Sequence, residues 1–284
     1  MPEETMALHS PAKVNLFLAV TGRRPDGYHE LISLMCPLEL ADAIHLRVGR
    51  GPVSVACAHP DVPETGANLA HRAARRFLDA AGIDAGVGII IDKRIPVAAG
   101  LGGGSSNAAA VLSGLNRHFG EPLTPQALAD LAVSIGADVP FFLFGGPALA
   151  AGIGEILHPA APLPPFHVVL LCPSYGVSTA AVYKNLNLGL TKCKKIHKSY
   201  PLDSQVFDAG RHLCNDLEAV AASMHPDIHA AKATLLDNGA SGALMSGSGP
   251  TVFGLFSEAD AARRAERRIA GSGQWRVIGT RLKI

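Results

Sequence analysis

The sequence predicts an α+β protein of two domains, and three observations carry that prediction. The chain beyond residue 226 reads helix, strand, strand, helix, strand, an alternation suited to helices packed on one face of a mostly antiparallel sheet. A length of 284 residues, 48% of them hydrophobic and 17% charged, supplies apolar material for more than one core. Finally, His158-Pro-Ala-Ala-Pro-Leu-Pro-Pro165 holds four prolines, a composition that interrupts regular structure and suits a boundary. We therefore expect domains over residues 1–160 and 161–284.

Composition also excludes. The apolar content rules out general disorder. The balance of 25 Lys and Arg against 24 Asp and Glu lacks the basic excess of a nucleic-acid binder. The five cysteines (Cys36, Cys57, Cys172, Cys193 and Cys214) are odd in number and form no CxxC pair. They read as free thiols in a reducing compartment. The N-terminal ten residues carry no apolar leader. The uncharged stretch Val139 to Gly154 falls short of the ~20 residues that span a bilayer. The expectation is a soluble, cytoplasmic protein with no membrane partner, as monomer or homodimer.

The first strand runs through Ala12 to Val20. Alternation places Ala12, Val14, Leu16, Leu18 and Val20 on one face and Lys13 with Asn15 on the other, ~7 Å apart. Phe17 and Ala19 make that second face apolar further along. Lys13 and Asn15 therefore either need buried partners or mark a solvated edge strand. A turn at Arg24-Pro-Asp-Gly27 follows, then apolar runs at Leu31–Leu40 and Ala43–Val48, and a strand at Val53–Ala58. Asn68 caps a helix with the stripe Leu69, Ala73, Phe77, Leu78 and Ala81, closed by Gly82. Arg72, Arg75 and Arg76 form its solvated face, and Val87–Ile91 reads as a buried strand.

Thr124 and Pro125 open a helix to Ile135, followed by a sharp non-helical passage, Gly136-Ala-Asp138-Val-Pro140. Beyond the prolines come a strand at His167–Cys172 and a lysine-rich segment, Tyr183–Tyr200 (Lys184, Lys192, Lys194, Lys195 and Lys198), which reads as a mobile loop. A helix at Pro226–Asp237, strands at Gly242–Met245 and Thr251–Phe256, a helix at Glu258–Ala270 and a strand at Trp275–Leu282 complete the chain.

Chemistry concentrates at Gly100-Leu-Gly-Gly-Gly-Ser105-Ser106-Asn107, between the strand side at Lys93–Pro96 and an alanine-rich helix former. Glycines let backbone N–H groups converge, and the following helix presents unpaired donors and its positive end. Together they form an anion cradle suited to a phosphate chain. A Walker A loop is excluded, since no Gly-Lys dipeptide occurs. The dinucleotide fingerprint fails as well, its third glycine falling on Ser105, which discourages an oxidoreductase. A second element, Met245-Ser-Gly-Ser-Gly-Pro-Thr251, suits a tight hairpin or a partner loop closing on a substrate. Phosphoryl transfer also needs a proton acceptor. Asp138, ahead of an apolar run, suits that role if a cation such as Lys13 stands near it; the alternative is a turn-forming Asp.

Three stretches, Pro11-Ala-Lys-Val-Asn-Leu-Phe-Leu18, Pro96 through the Gly100–Ala109 loop, and Ser246-Gly-Ser-Gly-Pro-Thr251, resemble the signature motifs of the GHMP kinase superfamily, and the likeness runs from Pro11 to about Phe256. Asp26-Gly-Tyr-His-Glu-Leu31, Asp92-Lys-Arg-Ile-Pro96 and Gly136-Ala-Asp-Val-Pro140 resemble its branch acting on a cytidine-diphosphate-linked methylerythritol in the non-mevalonate isoprenoid route.

The resemblance implies a ribosomal-protein-S5-like N-terminal domain, a ferredoxin-like C-terminal domain and an active site in the cleft between them. It implies ATP-dependent phosphorylation of a 2-hydroxyl, with Mg²⁺ whose ligands the motifs leave unassigned. By the same resemblance, Asp138 is the base, Lys13 its partner, and Asn15 a substrate contact. Gly100, Leu101, Gly102, Gly103, Gly104, Ser105 and Ser106 wrap the phosphates, with Asn68, Lys93 and Pro96 at the nucleotide. Tyr28, His29 and Tyr183 hold the cytosine, and stacking on each ring contributes ~1–3 kcal/mol. Asn215-Asp216 resembles an element lining the cleft. A mevalonate or homoserine kinase would leave Tyr28 and His29 no base to hold, and a non-catalytic sensor would not need both Lys13 and Asp138.

Overall fold

A computed structural model of the chain describes residues 5–193 and 207–284. Lys194, Lys195, Lys198 and Tyr200 of the lysine-rich segment lie outside the described residues. Two long strands, β1 (Thr5–Arg23) and β2 (His29–Gly49), contribute to both of two compact units. The first unit comprises residues 1–12, 40–97 and 102–145; the second comprises residues 13–39, 98–101 and 146–284. The chain thus enters the second unit for good at Gly146, ahead of the proline-rich stretch, because Ala148–Ala151 pairs with β2 instead of ending the first unit.

In the first unit the sheet order is β3 (Ser54–Cys57), β4 (Gly86–Asp92), β2, β1. β4 runs antiparallel to β2 from Ala43↔Asp92 to Gly49↔Gly86, and β3 runs parallel to β4. Helices α1 (Leu69–Ala81), α2 (Gly103–His118), α3 (Pro125–Ile135) and α4 (Val139–Phe144) complete it. Their core joins Phe77, Leu112, Leu115 and Val139 to Ile44, Leu46 and Ile89. α1 has the expected caps: Asn68 accepts from the Ala70 amide, and Gly82 adopts φ 65°. α4 was not expected. Pro140 is tolerated there because it lies in the first turn, where its missing N–H costs no helical bond.

The second unit holds the antiparallel sheet β11 (Arg276–Arg281), β7 (His167–Cys172), β10 (Val252–Phe256), β9 (Gly242–Met245). Numbered in chain order these strands run fourth, first, third, second, the ferredoxin-like arrangement. Its helices include α5 (Thr179–Lys184), α6 (Ala209–His212), α7 (Glu218–Met224), α8 (Asp227–Asp237) and α9 (Ala259–Ala270). Val169, Leu171, Leu235, Val252 and Ile269 share one core with Leu18 and Val20 of β1. β5 (Ala148–Ala151) and β6 (Ile156–Pro159) form a hairpin on β2. The short β8 (Cys214–Asn215) runs parallel to β1 at Phe17 and Leu18.

The reading of five free thiols is corrected here. Cys193 and Cys214 form a disulfide, their Cα atoms 5.6 Å apart, leaving Cys36, Cys57 and Cys172 free. Asp216 draws the two segments together: its Oδ1 accepts from the Lys192 and Cys193 amides and its Oδ2 from the Val20 amide. The reducing-compartment inference loses the support it took from unpaired cysteines. Among the described residues no helix is long and apolar enough to cross a membrane.

Candidate active site

In the second unit the site begins at β1. Lys13 and Asn15 are 3% and 4% exposed, so the solvated-edge alternative fails, and β1 lies between β2 and β8. The Lys13 ammonium donates to Asn15 Oδ1 at 2.6 Å. Asn15 Nδ2 donates to Ser33 Oγ at 2.8 Å, and Ser33 donates to the Phe17 carbonyl at 2.7 Å. A carboxamide locked by such a chain has its oxygen fixed toward the ammonium.

The two glycine elements meet in this unit. Ser246 Oγ donates to the Gly100 carbonyl at 3.0 Å, and the Lys13 amide donates to the Leu101 carbonyl at 3.0 Å. Gly100 has φ 74°, and a Cβ there would overlap the Ser246 carbonyl oxygen. Gly247, at φ 57°, would carry a Cβ 3.2 Å from Lys13 Nζ and 3.4 Å from Asn15 Oδ1. Backbone thus packs directly over the buried ammonium, an approach only glycine permits. Asn215 holds this loop, its Nδ2 donating to the Met245 and Gly247 carbonyls at 2.9 and 2.7 Å. Thr179 and Ser248 share a hydroxyl hydrogen bond of 2.8 Å, tying the first turn of α5 to the loop.

α5 in turn presents Tyr183, whose ring stacks on His29 with centroids 5.0 Å apart and planes 28° from parallel. Burial, and secondly the charge of Arg23, lower the His29 pKa below its ordinary 6.5. Tyr28 is 58% exposed, so the structure joins His29 to Tyr183 and leaves Tyr28 on the surface. Its amide is held by Asp26 Oδ1.

In the first unit, Gly102 (φ 71°) turns the chain into α2. Gly104 is exposed, Ser105 half-buried and Ser106 buried. A Cβ on Gly136 would lie 4.0 Å from Ser105 Oγ, so the strap leading to Asp138 passes beside the first turn of α2. Asp138 is half-buried and immediately precedes α4. Lys93 forms an ion pair with the fully buried Asp42 carboxylate at 2.5 Å, and a Cβ on Gly103 would sit 2.7 Å from its Nζ. Asn68 is engaged by its cap bond and by donation to the Pro63 carbonyl. Pro96 is half-buried beyond Ile95.

Asp42, Ser10, Ser33 and Thr179 escaped the sequence reading, which quoted Asn107 and Ser246 within their motifs and gave neither a role. Asp42 carried the signal that marked Lys13, a lone charge inside an apolar run. Among the described residues, Cys193, Cys214 and Asp216 are the sole grouping of three or more potential metal ligands, and those cysteines are joined.

The chain is similar to known proteins along nearly its whole length. Residues 68–146 match the GHMP kinases N terminal domain family, and residues 205–273 match the GHMP kinases C terminal family. A 4-diphosphocytidyl-2-C-methyl-D-erythritol kinase of Syntrophus aciditrophicus (strain SB) is 45% identical over 272 residues, covering 96% of this chain and 97% of that protein. The one of Syntrophotalea carbinolica is 47% identical, covering 95% and 96%. A crystal structure of 4-(cytidine 5'-diphospho)-2C-methyl-D-erythritol kinase superposes with a TM-score of 0.80 at 38% identity, covering 98% of this chain and all of that one. A homoserine kinase from Cytophaga hutchinsonii, 19% identical with a TM-score of 0.75 and covering 100% and 96% of the two chains, shares the fold. With relatives this similar along nearly its whole length, the chain belongs to the GHMP kinases, in the 4-diphosphocytidyl-2-C-methyl-D-erythritol kinase family.

Proposed function

We propose that this chain transfers the γ-phosphoryl group of ATP to the 2-hydroxyl of 4-diphosphocytidyl-2-C-methyl-D-erythritol. One observation carries the reading: a buried lysine, oriented by Asn15 and covered by Gly247, where an alcohol kinase needs fixed positive charge beside its acceptor. We propose the cytoplasm as its compartment, since the reaction draws on ATP.

Asp138 takes the proton of the acceptor hydroxyl as that oxygen bonds to the γ-phosphorus. The bond to the bridging oxygen breaks and ADP leaves. Lys13 holds the acceptor oxygen and offsets its developing charge, while Asn15 fixes the ammonium. The amides of Gly100, Leu101, Gly102, Gly103 and Gly104 and the hydroxyls of Ser105 and Ser106 hold the phosphates. Bound with the nucleotide, Mg²⁺ supplies charge neutralisation across the transferring group. Asn68, Lys93 and Pro96 shape the nucleotide end; the polar tips of Asn68 and Lys93 are already engaged within the protein, so they contribute rigidity and apolar stems. The neutral His29 ring and Tyr183 form the stacked platform for cytosine, and Tyr28 folds onto it from its exposed position.

An ATP-consumption assay with Mg²⁺ and three alcohols tests the proposal. Turnover confined to the cytidyl substrate is expected. Turnover of mevalonate or homoserine instead would retain the phosphotransfer chemistry and refute the base platform. Tight ATP binding with no turnover of any alcohol would make the chain a sensor.

A further inference from the structure

Within the first unit, a line of buried polar side chains runs from β2 to the opening turn of α2. Asp42 is 1% exposed and accepts from four donors: Lys93 Nζ, the Arg94 and Ile95 amides at 2.8 and 2.9 Å, and Asn107 Nδ2 at 2.9 Å. Asn107 Nδ2 also donates to Ser10 Oγ at 2.8 Å, and Ser10 Oγ donates to Ser106 Oγ at 2.8 Å. Ser10 is fully buried, Ser106 is 1% exposed, and Asn107 is 4% exposed.

The chemistry of these groups fixes the direction of every bond in the line. An ionised carboxylate only accepts, so the Asn107 atom facing Asp42 is its nitrogen, and both amide hydrogens are then used. Ser10 Oγ receives one of them and donates its own hydrogen to Ser106 Oγ. Ser106 Oγ therefore accepts, and its hydrogen is left to donate elsewhere. A hydroxyl with that polarity suits an anion at the start of α2, where Lys93 Nζ also lies close to Gly103.

We infer that Ser10, Asn107 and Asp42 are positioning residues that set the Ser106 hydroxyl as a donor to the nucleotide's phosphates. None of the three touches the nucleotide; they act through Ser106. The inference rests on the phosphate role proposed above for the Gly100–Ser106 loop.

A double-mutant cycle between Ser10→Ala and Ser106→Ala, measured on the whole chain with Mg²⁺–ATP, tests it. Without Ser10 the Ser106 hydroxyl is no longer held with its hydrogen toward the charged phosphate, so Ser10→Ala is expected to weaken ATP binding and raise KM for ATP about tenfold. KM for the alcohol should stay within about twofold, because that substrate makes no use of the relay. In the Ser106→Ala background the Ser10 substitution should add nothing. Additive losses, or equal changes in both KM values, would show Ser10 to be an ordinary packing residue and overturn the inference. Ser10→Thr, which keeps the hydroxyl, should regain most of the ATP affinity; failure to do so in a variant with unchanged melting temperature counts against the relay. If the unsubstituted chain did not bind ATP in calorimetry, the function proposed above would fall first and this inference with it. Normal ATP binding with an additive cycle would overturn the relay alone.

Discussion

The Lys13 ammonium donates to Asn15 Oδ1 at 2.6 Å, two residues along one strand and on the same face. The strand repeat alone sets this spacing, and the Ser33 bond keeps the Asn15 oxygen turned toward the lysine. Lys13→Met is therefore expected to lower kcat by about a hundredfold or more, through loss of a preorganised charge at the reacting oxygen. Stability should fall by about 1–3 kcal/mol as Asn15 Oδ1 loses its donor. Steady-state kinetics beside a thermal melt checks both. The companion Asp138→Asn should bind ATP normally and lose nearly all turnover; wild-type turnover in it would remove Asp138 from the base role.

Gly100 combines φ 74° with a Cβ position overlapping the Ser246 carbonyl oxygen, and a further contact lies 3.0 Å away at the Gly249 carbonyl oxygen. Gly100→Ala should cost about 1–2 kcal/mol from the left-handed backbone alone. The overlap adds to this by pushing the second glycine loop off Lys13. A lowered melting temperature with a raised KM for ATP is the expected pair of results. Gly104→Ala is the stability control: its Cβ would meet only Leu69 Cδ1 at 3.6 Å, so the fold should tolerate it. A Gly100→Ala protein as stable as that control would disprove the close-approach argument.

What the sequence revealed and concealed divides by the range of the interactions. α1 and α3 were legible to the residue because Asn68, Gly82 and Thr124 cap them through contacts within three or four positions. Alternation through β1 marked Lys13 and Asn15, and burial on both faces resolved the ambiguity toward a central strand. Asp42 misled for the same physical reason that makes it interesting. It split an apparent apolar run into two, whereas β2 passes through it unbroken because residues 93–95 and Asn107 saturate its carboxylate. α4 was concealed by Pro140, which breaks helices in their interior but not in their first turn. Tyr183 lay in a segment with no apolar period, since α5 is six residues long and depends on a Ser178 cap. The Cys193–Cys214 bridge depends on Asp216 gathering separate segments, which no local pattern records.

That bridge closes a chain segment with a separation of 21 residues. Restricting the unfolded chain over such a loop stabilises by about 3 kcal/mol in the loop-entropy treatment. Cys193→Ser should therefore lower the melting temperature by roughly 6 to 12 °C. A thiol reductant should do the same to the unsubstituted protein and nothing further to the variant. Cys36 cannot substitute as a partner: burial pushes its thiol up to about 12, keeping it protonated and unreactive. Equal melting temperatures with and without reductant, with two thiols fewer than five cysteines require, would contradict the expected stabilisation.

His29 gives the pH dependence. Burial lowers its pKa below 6.5, and the Arg23 charge acts in the same direction. The folded value lies below the unfolded one, so on acidification the unfolded chain takes up the proton first. The stability that His29 contributes as a neutral ring is present above pH 6.5 and is lost as the pH falls through the depressed folded value. The same protonation places a cation in the Tyr183 stack and alters the platform for the base. KM for the cytidyl substrate is accordingly expected to be flat above pH 6.5 and to rise as the pH falls through the depressed folded value, while KM for ATP does not follow. His29→Gln should abolish the acid limb. Tyr183→Ala should instead raise KM for the cytidyl substrate at every pH, by about five- to a hundredfold for the loss of one stacking surface. A pH profile of kcat/KM for each substrate in the three proteins separates these effects. An acid limb that survives His29→Gln would assign the titration to another group and detach His29 from the platform.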